Sequence, residues 1–184
     1  MELGCKEYFA KLMSCVEERD WGDLEEAADV IFSAWEREKN IFLCGNGGSA
    51  GNAIHLANDF LYGAGAADKK GLRVEALSAN PSVITCLAND VGYDEIYSAQ
   101  IDVKGSKDDV LIVLSGSGNS PNILKAVQVA HSLSMSTIAI LGFSGGACLE
   151  QVKLPIHFCV DDMQIAEDLQ LIAGHIIMQK FAAG

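Results

Sequence analysis

Among 184 residues, two serine- and glycine-rich stretches have the types and spacing that do chemistry. The sharper is Ser115-Gly116-Ser117-Gly118-Asn119-Ser120, three hydroxyls within six residues. Gly116 and Gly118 let backbone N–H groups approach a ligand closely, and the helix predicted to follow would present its positive end. Such a loop can hold a phosphate monoester without a lysine, and it is richer in hydroxyls than an ordinary turn requires. The other stretch, Gly45-Asn46-Gly47-Gly48-Ser49, has the Gly45-x-Gly47-x-x-Ala50 spacing of a dinucleotide fingerprint. That fingerprint wants an acidic residue closing the next strand, where this chain has Leu77, Ser78 and Ala79, so no nucleotide cofactor is expected. A P-loop is excluded because neither loop ends in Gly-Lys-Ser or Gly-Lys-Thr.

Candidate acids, bases and metal ligands lie on two predicted helices. His55 and Asp59 are four apart, so they share a helix face. Glu167 and His175 are eight apart, which returns them to within about 80° of one side, with Asp168 beside Glu167. Two imidazoles and two carboxylates can thus converge. The set suits Zn²⁺ or a similar divalent ion, and equally a metal-free pair in which a carboxylate takes a proton and an imidazole returns it. Asn89-Asp90, before Gly92, reads as a helix stop or a functional pair. His131 and His157 receive no role.

The surrounding secondary structure follows from periodicity. Three-and-four spacing of Tyr8, Leu12, Cys15 and Val16, then of Leu24, Ala27, Ala28, Ile31, Ala34 and Trp35, predicts two amphipathic helices within 1–39. Five short strands are expected at Ile41–Cys44, Val74–Leu77, Val110–Leu114, Thr137–Leu141 and Ile156–Val160. Helices are expected over Ala53–Leu61, Ser82–Ala88, Asp94–Ile101, Pro121–Leu133 and Ile165–Phe181, with Ser120 as N-cap and Pro121 in the first helical position. Strands alternating with helices imply an α/β fold, a three-layer sandwich with a five-stranded parallel sheet, preceded by the two helices. No linker-like composition shift divides the chain, so residues 1–184 are read as one domain, with 40–184 as its α/β core. Gly63–Gly71 is a candidate mobile loop.

Lys and Arg number 13 against 25 Asp and Glu, a net charge of −12 that repels nucleic acid and anionic membranes. An anionic substrate must then be captured by local geometry. Six cysteines without C-x-x-C spacing are expected to be reduced thiols. No basic start followed by an apolar run is present, and no apolar stretch is long enough to cross a membrane, so a cytoplasmic protein is expected.

At Gly45–Ser49, His55, Asn89-Asp90, Ser115–Ser120 and Gly174-His175 the chain resembles the SIS (sugar isomerase) domain family, and within it the phosphoheptose isomerases. The resemblance spans nearly the whole chain and implies a flavodoxin-like core in a homotetramer with shared active sites. It implies conversion of sedoheptulose 7-phosphate to an aldose heptose 7-phosphate through a cis-enediol, toward lipopolysaccharide, capsule or other heptose. By resemblance, Ser115, Gly116, Ser117 and Ser120 hold the phosphate, Asn46, Gly47, Gly48, Ser49 and Asp90 line the sugar, and Asn89, Asn119 and Glu167 also contact the substrate. His55, Asp59, Glu167 and His175 match the zinc positions, and Asp59, Glu167 and His175 the catalytic ones. The chain departs from the pattern in carrying Asp59 where the family has Glu, Glu167 where it has Gln, and Gln170 where it has a further His. The alternative is a noncatalytic SIS tetramer that binds phosphosugars or docks proteins, like replication-initiator-associating relatives.

Overall fold

Ile41, Phe42, Leu43 and Cys44 are all buried, the mark of a strand covered on both faces, and they form the centre of β1 (Asn40–Gly45). The computed structural model describes residues 4–17, 19–62 and 70–183. In chain order the other elements are α1 (Cys5–Ser14) and α2 (Gly22–Glu36) before β1, then α3 (Gly48–Tyr62), β2 (Arg73–Ala76), α4 (Pro81–Asp90) and α5 (Ser98–Lys104). They are followed by β3 (Val110–Ser115), α6 (Pro121–Ser132), β4 (Ser136–Leu141), α7 (Gly146–Gln151), β5 (Leu154–His157) and α8 (Met163–Ala183).

All strand pairings are parallel, in the order β2-β1-β3-β4-β5, with Ile41 opposite Val110 and Gly45 opposite Leu114 in the central pair. This is the flavodoxin-like order. Alternate strand residues feed two cores. Leu43, Ile112, Leu114 and Ile140 pack with α2, α3 and α8, whereas Phe42, Leu111, Val113 and Leu141 pack with α5, α6 and α7. The chain therefore leaves β1 toward one face and β3 toward the other, which opens a crevice at the carboxyl ends of these neighbours, where ligands of such sheets sit.

Several elements differ from expectation. α3 begins at Gly48, five residues before Ala53, so the first loop runs directly into a helix. The segment expected as one helix from Asp94 is a 3₁₀ turn at Tyr93–Glu95 followed by α5. α7 is additional. β5 starts at Leu154 opposite Ile138 and ends at His157, because the Val160 N–H folds back onto the Phe158 carbonyl. Pro155 is tolerated there because β5 is an edge strand. Ser120 stands at the N-cap of α6, but its hydroxyl makes no capping bond. All six cysteines are free, two of them, Cys44 and Cys148, in the core, where burial pushes both thiols up, Cys148 to about 11. Of the candidate mobile loop, residues 63–69 lie outside the described residues. Among the described residues no helix is long and apolar enough to cross a membrane.

Candidate active site

The two glycine loops meet at the crevice. Asn46, Gly47, Gly48 and Ser49 from the first, and Ser115, Gly116, Ser117 and Ser120 from the second, line a cleft of about 260 Å³ closed by Met163 and Glu167 of α8. A larger cleft, of about 530 Å³, lies at the amino ends of β1 and β2 near Trp35, Lys39 and Arg73, away from both loops.

The second loop is shaped by its own hydroxyls. Ser115 Oγ accepts from the Gly118 N–H at 3.1 Å, and Ser117 Oγ accepts from the Asn119 N–H at 3.3 Å. Each hydroxyl keeps its own hydrogen to donate. Ser120, whose hydroxyl makes no capping bond, also lines this space. A hydroxyl-rich, lysine-free cradle at the N-terminus of a 12-residue helix suits an anion. Gly118 has φ +65°, and a Cβ there would meet the Gly145 carbonyl oxygen at 1.9 Å, so the serine loop is pressed against the loop before α7. Asn119 serves that contact and does not line the cleft. Its Oδ1 accepts from the Ala147 N–H at 3.0 Å and its Nδ2 donates to the Ser117 carbonyl at 3.1 Å. Asn119 thus braces the serine loop against the loop that precedes α7.

Glu167 reaches the first loop so closely that a Cβ on Gly48 would lie 2.4 Å from both its carboxylate oxygens. Among the described residues it is the one ionisable side chain lining the cleft. His55, Asp59 and His175 form a separate group. The two Nε2 atoms are 3.0 Å apart, and Asp59 Oδ2 lies 3.3 Å from His55 Nε2 and 3.2 Å from His175 Nε2. The donor atoms lie within 4.8 Å of one another, and two imidazoles with one carboxylate match a zinc donor set. The shorter Asp59 therefore still reaches both rings. Glu167, expected as a fourth member, does not join them. Eight residues of helix place it about 12 Å along the axis from His175, a separation that the angular periodicity ignores.

Asn89 and Asp90 stand exposed at the end of α4 and outside the cleft's lining. Asn89 Nδ2 donates to Asp90 Oδ1 at 2.7 Å, and the Asp90 carboxylate pushes the neighbouring Cys86 thiol up. Gln170 ties α8 to α3, donating to Ser49 Oγ at 3.1 Å and accepting from Asn52 at 3.0 Å. His131 bonds Thr137 and His157 bonds the Phe143 carbonyl.

Sequence reasoning overlooked Met163, Tyr93, Tyr97 and Asn122. Buried Tyr97 donates to the Gly45 carbonyl at the end of β1, and burial pushes its phenol up. Asn122, also buried, pairs with Asn46. An amide directly after the Ser-Pro helix start was the available signal for Asn122.

The SIS domain model matches residues 6–142. The phosphoheptose isomerase of Helicobacter pylori strain P12 is 34% identical over 175 residues, covering 95% of this chain and 88% of that protein. That of Chlorobaculum parvum is 35% identical over 176 residues, covering 94% and 83%. The solved structure of a phosphoheptose isomerase from Francisella tularensis superposes with a TM-score of 0.91 at 26% identity, covering 98% of this chain and 97% of that one.

Proposed function

The chain belongs to the SIS domain family, alongside its phosphoheptose isomerase members, and from that premise we propose that it is a ketose–aldose isomerase of phosphosugars. It converts sedoheptulose 7-phosphate to D-glycero-D-manno-heptose 7-phosphate, or a close stereoisomer, in activated-heptose biosynthesis. The observation that carries the reading is the single cleft in which a lysine-free serine cradle faces one carboxylate, Glu167, across the first glycine loop.

In this mechanism the hydroxyls of Ser115, Ser117 and Ser120 and the amino end of α6 hold the phosphate. Asn46, Gly47, Gly48 and Ser49 lie along the sugar. Aldose–ketose exchange moves one proton between C1 and C2 and another between their oxygens. Glu167, the carboxylate within the cleft, takes the carbon-bound proton. His175, held by Asp59 and His55 outside the lining of the cleft, serves the oxygens, which requires the C1–C2 end of the sugar to extend from the cleft toward this group, where Asp59 is a second candidate base. The same three side chains, His55, Asp59 and His175, would hold Zn²⁺, which when bound supplies electrophilic stabilisation of the enediolate. Separating Glu167 from this group removes the competition between base and ligand for one carboxylate.

We further propose a homotetramer with shared active sites in the cytoplasm. Ile54 and Ile176 are exposed beside the half-exposed histidines, and Phe9 and Met13 are exposed on α1, which supports burial against further copies. Asn89 and Asp90, outside the cleft of their own chain, fit a role in an assembled site.

The test is incubation of purified protein with sedoheptulose 7-phosphate, with Zn²⁺ and with chelator, products being resolved by chromatography and NMR. An aldose 7-phosphate is expected, and His175→Gln is expected to abolish it without altering assembly. Saturable sugar phosphate binding with no product in either condition would overturn the enzyme in favour of a phosphosugar-binding module. Full activity of His175→Gln would sink the proton-transfer role.

A further inference from the structure

Asn46 lines the cleft, and its surroundings decide which end of its carboxamide meets a ligand. Asn122 is 1% exposed at the start of α6, and its Oδ1 accepts from the Ile123 N–H at 3.0 Å, which fixes which side of this amide carries the oxygen. Asn46 Nδ2 donates to that Oδ1 at 2.9 Å, and Asn122 Nδ2 donates back to Asn46 Oδ1 at 2.9 Å. The Tyr93 hydroxyl donates to the same Asn46 Oδ1 at 3.3 Å, while the Tyr97 hydroxyl hydrogen is taken by the Gly45 carbonyl. Asn46 Oδ1 thus has a donor for each of its two acceptor positions. Its Nδ2 keeps one of two hydrogens. That hydrogen is what the side chain can offer to the cleft.

We propose that Asn122, supported by Tyr93, is a positioning residue that locks Asn46 as a hydrogen-bond donor toward the oxygen gaining charge in the enediolate. The proposal rests on the isomerase reading above. A carboxamide free to turn would present its oxygen as often as its nitrogen, and an oxygen there repels a developing oxyanion. The pair also joins the two loops, since Asn122 follows Ser120-Pro121 directly and Asn46 follows the last residue of β1. Substrate phosphate and substrate carbonyl are thereby referred to one rigid unit.

Asn122→Leu removes both halves of the pair at similar volume and unchanged charge, and the Ile123 N–H keeps the Ser120 carbonyl at 3.0 Å. The kcat with sedoheptulose 7-phosphate should fall about tenfold or more, with the affinity for inorganic phosphate, titrated by calorimetry, unchanged. Asn46→Leu should lose at least as much, and the double variant should be no slower than Asn46→Leu alone. Asn122→Ala replaces the leucine variant if that does not fold. Wild-type kcat, a loss of phosphate affinity in step with kcat, or an additive double variant would overturn the lock. Absence of turnover in the wild type would instead sink the isomerase reading. The lock is then decided by side-chain amide NMR, where Asn46 hydrogens slow to exchange in the wild type and fast in the variant uphold it, and no difference overturns it.

Discussion

Gly48→Ala should separate Glu167 from the reacting carbon while leaving the fold intact. Gly48 is the first residue of α3 and does not have a positive φ, so its backbone accepts alanine. The added Cβ would stand 2.4 Å from both Glu167 oxygens, where ordinary contact begins at 3.4 Å, so the carboxylate must retreat by about 1 Å. A misplacement of that size at a reacting group costs on the order of 100-fold in rate, and kcat should fall by that factor. At the first position of a helix the gain from replacing glycine is below the roughly 1 kcal/mol of an interior site and is offset by displacing the carboxylate, so the melting temperature should change little. Inorganic phosphate, held by the serine loop, should bind as before. Steady-state turnover of sedoheptulose 7-phosphate, thermal melting and phosphate calorimetry on the same preparation read all three. Glu167→Gln supplies the control, because Gly48→Ala in that background should cost nothing further. A kcat near that of the wild type would refute Glu167 as the base, and parallel loss of phosphate affinity would show that the cleft had collapsed instead.

Within the serine loop, Ser120→Ala should weaken phosphosugar binding by about 1–2 kcal/mol, the loss of one bond to a charged group, with unchanged melting. Ser115→Ala should lower both, since its hydroxyl also accepts the Gly118 N–H; equal behaviour of the two variants in calorimetry and melting would contradict this division. Asp59→Asn should abolish Zn²⁺ binding measured by calorimetry while Glu167→Gln leaves it in place, because Glu167 stands outside the His55–Asp59–His175 group; equal losses would return Glu167 to the ligand set. The Tyr8 hydroxyl donates to Asp168 at 2.5 Å, which raises its pKa from 10.0 to about 12. The folded chain therefore keeps a proton that the unfolded chain releases, so the stabilisation of α1 is complete below pH 10 and is lost as pH rises through about 12. A near-ultraviolet tyrosinate titration should show this late step, absent in Asp168→Asn.

What could be read from the residues depended on how local their constraints are. β1, β3 and β4 were legible because continuous apolar runs bounded by loops leave few alternatives. α7 was not, because its six residues are too few for periodicity and its entry depends on left-handed Gly145 and Gly146. β5 was placed late because Pro155 argues against a strand unless the strand is known to be an edge. At the site, His55 and Asp59 were one turn apart and correctly paired. Glu167 and His175 shared a side of α8, but angle alone says nothing about distance along an axis. Asn119 sits among the serines in sequence, but its bracing of the loop before α7 depends on the packing of Gly118 on Gly145, which no local pattern shows. The Asn46–Asn122 pair spans 76 positions, beyond the reach of any local pattern.

Among the described residues the cleft is lined by neither lysine nor arginine, in a molecule carrying −12. Its hold on a phosphate ester is made by hydroxyls and amides acting at contact, while the field beyond roughly 8 Å works against the same anion at physiological salt. Arrival is then slowed and departure hastened relative to a basic pocket of equal contact strength, and dissolved salt narrows the difference by screening the approach. Such a site is built for traffic: it discriminates by shape on arrival and does not become a sink for the phosphorylated product it releases.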